Sequence, residues 1–448
     1  MRRILKMAVL TPLLLTAIGT AEAQQKWTLQ DCLDYALEHN IQLQQSRLTE
    51  AQDAEDVQLR RAALLPLLSF STNQNASWRP WNQSFVNLSG GTMTSTSSEV
   101  NYNGSYGLNA SWTVWNGGRN QKSLDKSKLT AEMAEYATAE SANSIQEQIT
   151  QYYVQILYLT EAVTVSERVL EASKLQRDRA REMVNVGSLA RVDLMQLEAQ
   201  VSQDEYNVVN ARTQAENYKL RLKQLLELVG NDDFNIATPA IDDSRVLSII
   251  PSKDDVYANA YSVRPEIQSG KLSIESAELD IDIARRGFYP SLSMSAGIGT
   301  SNSSGQHTAL GEQWKRNLNN SIGLTLSVPI FDNRQNRTNV RKAKLSKQAA
   351  DLSLQDTEQQ LYREIESYWL NARNAQQQYM AAKANVESMQ QSYDLVSEQF
   401  RLGLKNIVEL TTGKNNLLQA EQQMLEAKYT ALLNLAMLRF YQGEPISL

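Results

Sequence analysis

The 448-residue chain carries one cysteine, Cys32, and two histidines, His39 and His307. A lone cysteine excludes an intrachain disulfide. On a helical pattern it reads as a half-buried small residue rather than a reactive thiol. Neither histidine has partners at metal-ligand spacing, so both read as surface residues and no metal is expected. No nucleophile stands beside a base and no glycine-rich phosphate loop is present, so neither an enzyme nor a cofactor is expected. Basic charge is not in excess: the formal net charge is −6, which argues against nucleic acid. Past the N-terminus no apolar run approaches 18 residues, which excludes a membrane-spanning helix. A membrane strand stays open, since about 9–11 residues of alternating pattern suffice. Proline is scarce: nine in all, none from 81 to 238 and none from 330 to 444. Those two gaps leave room for very long helices.

The first 23 residues read as a secretory leader. Arg2, Arg3 and Lys6 precede an apolar run from Met7 to Ile18, and Ala21-Glu22-Ala23 puts small residues at the cut. The mature chain is expected to begin at Gln24. Its formal charge would be −8, because the leader holds three basic residues and one acidic one. No cysteine lies at the cut, so no lipid anchor is expected.

What the sequence does contain, it contains twice. In "NVGSLARVDL" (185–194) and "RLGLKNIVEL" (401–410), Gly187 pairs with Gly403 and Asp193 with Glu409 at a constant offset of 216. The same offset aligns "SYGLNASWTVW" (105–115) with "SIGLTLSVPIF" (321–331). Upstream the offset is 224, aligning "PLLSFS" (66–71) with "PSLSMS" (290–295) and "ALEHN" (36–40) with "AYSVR" (260–264). The length change therefore falls between about residues 72 and 104. A unit this long is no solenoid repeat. It reads as a duplicated half, 24–229 and 253–448, with 230–252 as an equatorial linker.

Each half shows one order of patterns. A helical stretch (28–62; 253–287) ends in a double arginine ahead of Pro66 or Pro290. Two alternating segments follow, joined by a polar loop. Then come a long helix (119–186; 335–402), a turn, and a return helix (192–229; 408–441). Ile145, Ile149, Tyr152, Ile156, Leu159 and Val163 step by four and three, as do Leu361, Ile365, Tyr368, Ala372, Ala375 and Tyr379. That is a coiled-coil seam. A helix of this length is about 100 Å long.

The alternating segments are 67–72, 105–115, 291–298 and 321–331. Leu108, Ala110, Trp112 and Val114 alternate with Asn109, Ser111 and Thr113. Leu292 and Met294 alternate with serines, and Leu324, Leu326, Val328 and Ile330 follow the same rule. Period two with one greasy and one small polar face predicts strands. A soluble sheet and a membrane barrel both fit. The leader, and aromatics at the segment ends (Trp78, Trp112, Trp115, Tyr289, Phe331), favour the barrel. Single-chain membrane barrels begin at eight strands, and open edges are not tolerated in lipid. Four strands therefore require several copies around one barrel. The Ser/Thr/Asn/Gly-rich loop at 87–104 suits a mobile, extracellular connection, and the long helices then lie in the periplasm.

In this ordered set the chain resembles the TolC family of outer-membrane efflux and secretion ducts. The carriers are the repeat, the Pro-led strands, the paired turns, and "YSVRPEI" (261–267) with its Arg-Pro-Glu element. The resemblance implies a fold that is mainly α with a small antiparallel β part. It implies a homotrimer with a 12-stranded β-barrel, continued by a periplasmic helical coiled-coil barrel. It implies no enzymatic activity. The implied partners are a periplasmic adaptor, an inner-membrane pump and outer-membrane lipid. By position, Glu409 matches an acidic ring at the narrowest point and Asp193 a gate-bracing acid. Lys405 stands where some relatives have arginine, Phe400 where some have tyrosine, and Thr412 where some have a second acid. Val186, Gly187, Leu402, Gly403 and Leu404 are the implied adaptor-docking tips. Leu108, Trp112, Leu292, Met294, Leu324 and Leu326 are the expected lipid-facing set. The expected function is a passive exit duct for small molecules. The alternatives are a type I protein secretion duct and a soluble periplasmic coiled-coil scaffold.

Overall fold

The computed structural model describes residues 26–78, 100–230, 234–239, 241–304 and 308–448, and the backbone alone of 84–86 and 92–94. The leader expected at 1–23, His307 and much of the loop expected at 87–104 lie outside the described residues. In chain order the elements are α1 (Leu29–His39), α2 (Ile41–Ala62), β1 (Leu67–Trp78), β2 (Ser84–Val86), β3 (Thr92–Thr94), β4 (Val100–Trp115), α3 (Arg119–Asn185), α4 (Arg191–Leu225), α5 (Asp243–Val246), α6 (Lys253–Val263), α7 (Pro265–Arg285), β5 (Ser291–Ser303), α8 (Leu310–Arg316), β6 (Asn319–Ser327), α9 (Gln335–Arg401) and α10 (Ile407–Tyr441).

The stretches 28–62 and 253–287 are not single helices, contrary to the sequence expectation. They break at Asn40 and Arg264, two residues that the 224-residue offset pairs. Both are extended, at φ −63°, ψ 126° and φ −67°, ψ 129°. Different chemistry makes the same break. The Asn40 side chain accepts the Leu43 N–H at 3.1 Å and caps α2. Pro265, at the first position of α7, keeps Arg264 out of the helical region.

The long helices obey the proline gaps. α3 and α9 each run 67 residues, and α4 and α10 each run 35. Both long helices start after two successive left-handed residues, Gly117 and Gly118 in one case and Asn333 and Arg334 in the other. Glycine adopts this conformation freely, whereas Arg334 holds it at roughly 1–2 kcal/mol. Near the sheet, α2 and α7 pack along α3, and α7 also packs along α9. Toward the tips their place is taken by α4 on α3 and α10 on α9.

The main core sits at mid-height. Ile145–Leu157 of α3, Leu361–Tyr379 of α9 and Ala427–Tyr441 of α10 meet α1, α6 and the linker residues Ile236 and Val246. Tyr153, Val154 and Leu157 are buried here although the seam pattern omitted them, because α3 is covered on more than one face at this height. Cys32 lies wholly inside rather than half-buried, and burial pushes its thiol up to about 12. His39 is exposed, stacked on Tyr35. The linker is strapped to α9: Gln376 Nε2 donates to the Val246 and Ser248 carbonyls, each at 2.8 Å, and the Tyr379 hydroxyl donates to Asp243 at 2.5 Å.

The sheet has the order β1-β4-β5-β6, every neighbouring pair antiparallel. β1, β4 and β5 run longer than their alternating segments predicted. β6 is shorter: it stops at Ser327 ahead of Pro329, so Val328 and Ile330 lie past the strand. Among the described residues, β1 and β6 each pair on one side only.

Candidate functional site

The register sorts the strand residues into two faces. On one, successive rows read Phe70–Leu108–Ile298–Asn320, Leu68–Ala110–Ala296–Ile322, Trp112–Met294–Leu324 and Leu292–Leu326, with Asn320 the polar member at the far end. On the other they read Ser69–Asn109–Gly297–Ser321, Leu67–Ser111–Ser295–Gly323 and Thr113–Ser293–Thr325. Leu67 is the one large apolar residue among these polar rows. All six expected lipid-facing residues share the apolar face. Leu324 is 70% and Leu326 65% exposed, so no other part of the described chain covers the β6 side of this face. One detail differs from the sequence reading. A bulge sets Thr113 against Ser293 and Trp115 against Leu292, leaving Val114 as the extra residue. Trp115, not Val114, continues the apolar face. Trp112 also donates its indole N–H to the Leu64 carbonyl at 2.8 Å, fixing the turn that enters β1.

At the far end the two hairpin turns have one backbone. The Ser188 N–H bonds the Met183 carbonyl at 2.8 Å and the Gly187 N–H bonds that of Val184 at 3.0 Å. The Leu404 and Gly403 N–H groups do the same to Gln399 and Phe400, at 2.9 and 3.0 Å. Both glycines sit at φ 76°, the left-handed close of a helix. A Cβ on either would meet nothing within 4 Å. Val186, Leu402 and Leu404 beside them are exposed. Gly187→Asn and Gly403→Asn should therefore leave thermal stability almost unchanged, because asparagine tolerates this conformation. Gly187→Val should cost about 1–2 kcal/mol through backbone strain alone. Melting of the purified variants checks both.

The paired acids differ despite their equal backbone. Asn406 caps α10 by accepting the Glu409 N–H at 2.9 Å, and Glu409 reaches back to the Asn406 N–H at 3.2 Å. Lys405 also pairs with the Glu409 carboxylate. Lys405 first, then the Asn406 N–H, holds the Glu409 carboxyl below the ordinary glutamate range. The first turn has Ala190 at the capping position, which offers no side-chain acceptor. Asp193, half-buried at the same helical position, is not locked into such a box. Phe400 packs on the small apolar cluster of Ala180, Leu194, Leu197, Ile407 and Leu410 that joins the two tips.

One constellation escaped the sequence reading. Lys414 and Asp204, 4% and 2% exposed, form a 2.6 Å ion pair between α10 and α4. Ser173 of α3 donates to Asp204 at 2.6 Å and accepts from Lys414 at 2.8 Å. Gln200 donates to the other carboxylate oxygen at 2.9 Å. Burial pulls the Lys414 pKa down, against the opposing pull of Asp204. The signal was available. Leu410, Lys414 and Leu417 step through the apolar stripe of α10, and Val201, Asp204 and Val208 through that of α4. A charge at such a seam position fixes register.

The comparisons with known proteins agree with this geometry. The family described as Outer membrane efflux protein matches residues 32–227 and 256–444. The chain is 26% identical to the outer membrane protein TolC of Escherichia coli (strain K12) over 295 residues, 63% of this chain and 58% of that protein. It thus spans about three fifths of the length of the TolC relatives it matches. It is 23% identical to the outer membrane efflux protein BepC of Brucella suis biovar 1 (strain 1330) over 434 residues, 94% of this chain and 88% of BepC. The solved CmeC outer membrane channel of Campylobacter jejuni shares the fold at a TM-score of 0.75 and 22% identity, over 94% of this chain and 87% of that one. The family match spans both long hairpins and all four sheet strands, and with it the chain belongs to the outer membrane efflux protein family, an outer-membrane protein with a large helical part in the periplasm.

Proposed function

We propose that the chain is one subunit of an outer-membrane exit duct, three copies of which close a 12-stranded barrel. The observation that carries this is the sheet: one apolar face that is bare over its β6 side, one Ser/Asn/Gly face and, among the described residues, two unpaired edges. Apolar side chains toward lipid and small polar ones toward water make a wet pore. Sister copies supply the missing edge partners. Each copy is built as two halves, 24–229 and 253–448, about the linker 230–252. Cargo is small molecules, delivered by an inner-membrane pump through a periplasmic adaptor. Mass measurement of the detergent-solubilised protein, with conductance across a planar bilayer, tests the reading. A stable, water-soluble, non-conducting monomer defeats it.

The tips form the periplasmic entrance. Glu409 lines the lumen with its charge partly answered by Lys405, Asp193 braces the gate, and Phe400 holds the hairpins together behind it. Glu409→Ala should relieve block of single-channel current by multivalent cations, whereas Lys405→Ala should strengthen it. Equal block in both variants would remove the pair from the lumen. The exposed tip residues Val186, Gly187, Leu402, Gly403 and Leu404 meet the adaptor. Because asparagine preserves the turn, efflux lost in Gly187→Asn with normal assembly would mark a docking surface. Unimpaired efflux leaves the glycines a turn role alone.

A further inference from the structure

The connection between β5 and β6 is not the simple loop that its sequence suggests. It folds α8 back over β4 and β5, on the side that carries the apolar rows. The Trp314 ring lies edge-on to Tyr106 at 5.6 Å, one row beyond Leu108. Thr300 donates its hydroxyl to the Trp314 carbonyl at 2.8 Å. Gln313, 2% exposed, accepts the Ser303 N–H and donates to the Thr308 carbonyl, each at 2.8 Å. Asn317 donates to the Ser301 carbonyl at 2.7 Å. α8 is thus pinned to the sheet by its polar side chains.

What it leaves outward is apolar and basic. Leu310 and Trp314 of α8, and Leu318 just past its C-terminal cap Asn317, are exposed at 58, 45 and 56%. Lys315 and Arg316 are exposed beside them, Arg316 sharing its charge with Glu312 at 2.7 Å. Rigidly held apolar side chains exposed next to cations are costly in water and suited to a bilayer interface. The height of the apolar face points the same way. From Leu292 to Ile298 is six residue steps, about 20 Å along the strand and about 15 Å in height at a ~40° tilt. An outward apolar band is typically ~25 Å tall. Beyond Ile298 the same face turns to Thr300 and Asn302, and there the α8 stripe takes over.

We propose that α8 is a membrane-interface anchor. Leu310, Trp314 and Leu318 extend the lipid-facing band, and Lys315 and Arg316 hold phosphate-bearing lipid headgroups of the outer leaflet. This rests on the reading of the sheet as membrane-spanning.

The test places a nitroxide at Leu310→Cys, or at Ile322→Cys on the sheet face, in the assembled full chain; Cys32 is buried and stays unlabelled. The protein is reconstituted in phosphatidylcholine with and without phosphatidylglycerol. At Leu310→Cys, collisions with oxygen should exceed those with a water-soluble nickel complex. An aqueous label there, with a lipid-exposed label at Ile322→Cys, overturns the anchor alone. Aqueous labels at both sites overturn the membrane reading of the sheet. A Leu310→Cys label shielded from both probes means that a sister copy covers α8, and also overturns the anchor. Lys315→Glu/Arg316→Glu should retain roughly twenty- to thirtyfold less phosphatidylglycerol through purification, each of the two exposed bases near an anionic surface being worth about a factor of five. Equal retention overturns the headgroup role.

Discussion

Lys414→Met should destabilise the assembled protein by roughly 3–5 kcal/mol, the largest loss expected from any single helical substitution away from the mid-height core. The loss comes less from the missing attraction than from what remains. Asp204, 2% exposed, would keep its charge with only Ser173 and Gln200 to answer it. Asp204→Leu should cost a similar amount by stranding the ammonium. The double variant Lys414→Met/Asp204→Leu should recover to within about 1 kcal/mol of the native protein. It replaces a desolvated pair by apolar groups in an apolar stripe, and Ser173 can turn its hydroxyl to a carbonyl of its own helix. A double-mutant cycle on melting or protease resistance of the solubilised protein reads the coupling. Additive losses would mean that the two charges act independently, against their 2.6 Å separation. The pair joins α4 of the first hairpin to α10 of the second. A recovered double variant with altered gating would show that the ions set the register of the hairpins rather than their stability.

That pair also shows where sequence reading reached its limit. Periodicity identified α3 and α9 to within a residue, because a proline-free stretch with a repeating apolar step has few other conformations. It could not say which partner covers a charged residue in the stripe, since Lys414 and Asp204 lie 210 positions apart. The break at Asn40 was hidden for a related reason. Nothing in "ALEHN" forbids a helix; the side-chain cap on Leu43 decides it, and only Pro265 in the second copy advertises the same break. Alternation found the sheet and placed all six lipid-facing candidates on one face of it. It misplaced Val114, because a bulge changes parity without leaving a pattern in the sequence. The turn glycines were legible from the repeat itself. The difference between Glu409 and Asp193 was not, as it depends on Asn406 against Ala190 three residues upstream.

Leu324→Arg and Thr325→Arg separate the two faces of the sheet most sharply. The residues are adjacent in β6 and so lie at nearly one depth, but they point to opposite sides. Leu324 stands in the row of Trp112 and Met294, near the middle of the apolar band. A guanidinium there would face hydrocarbon and should cost about 2–4 kcal/mol near the midplane. The expected result is loss of assembled, detergent-extractable protein from the outer-membrane fraction. Thr325 stands among Thr113 and Ser293 on the polar face. An arginine there would meet water in the pore, so that variant should assemble normally and conduct cations less well. Equal insertion of both would mean that neither face touches lipid. Loss of the Thr325 variant with survival of the Leu324 variant would turn the sheet inside out, and would place the Ser/Asn/Gly rows in close contact with a packed partner. Only the predicted asymmetry is consistent with an apolar face left bare around Leu324 and a polar face lined with residues too small to fill a pore.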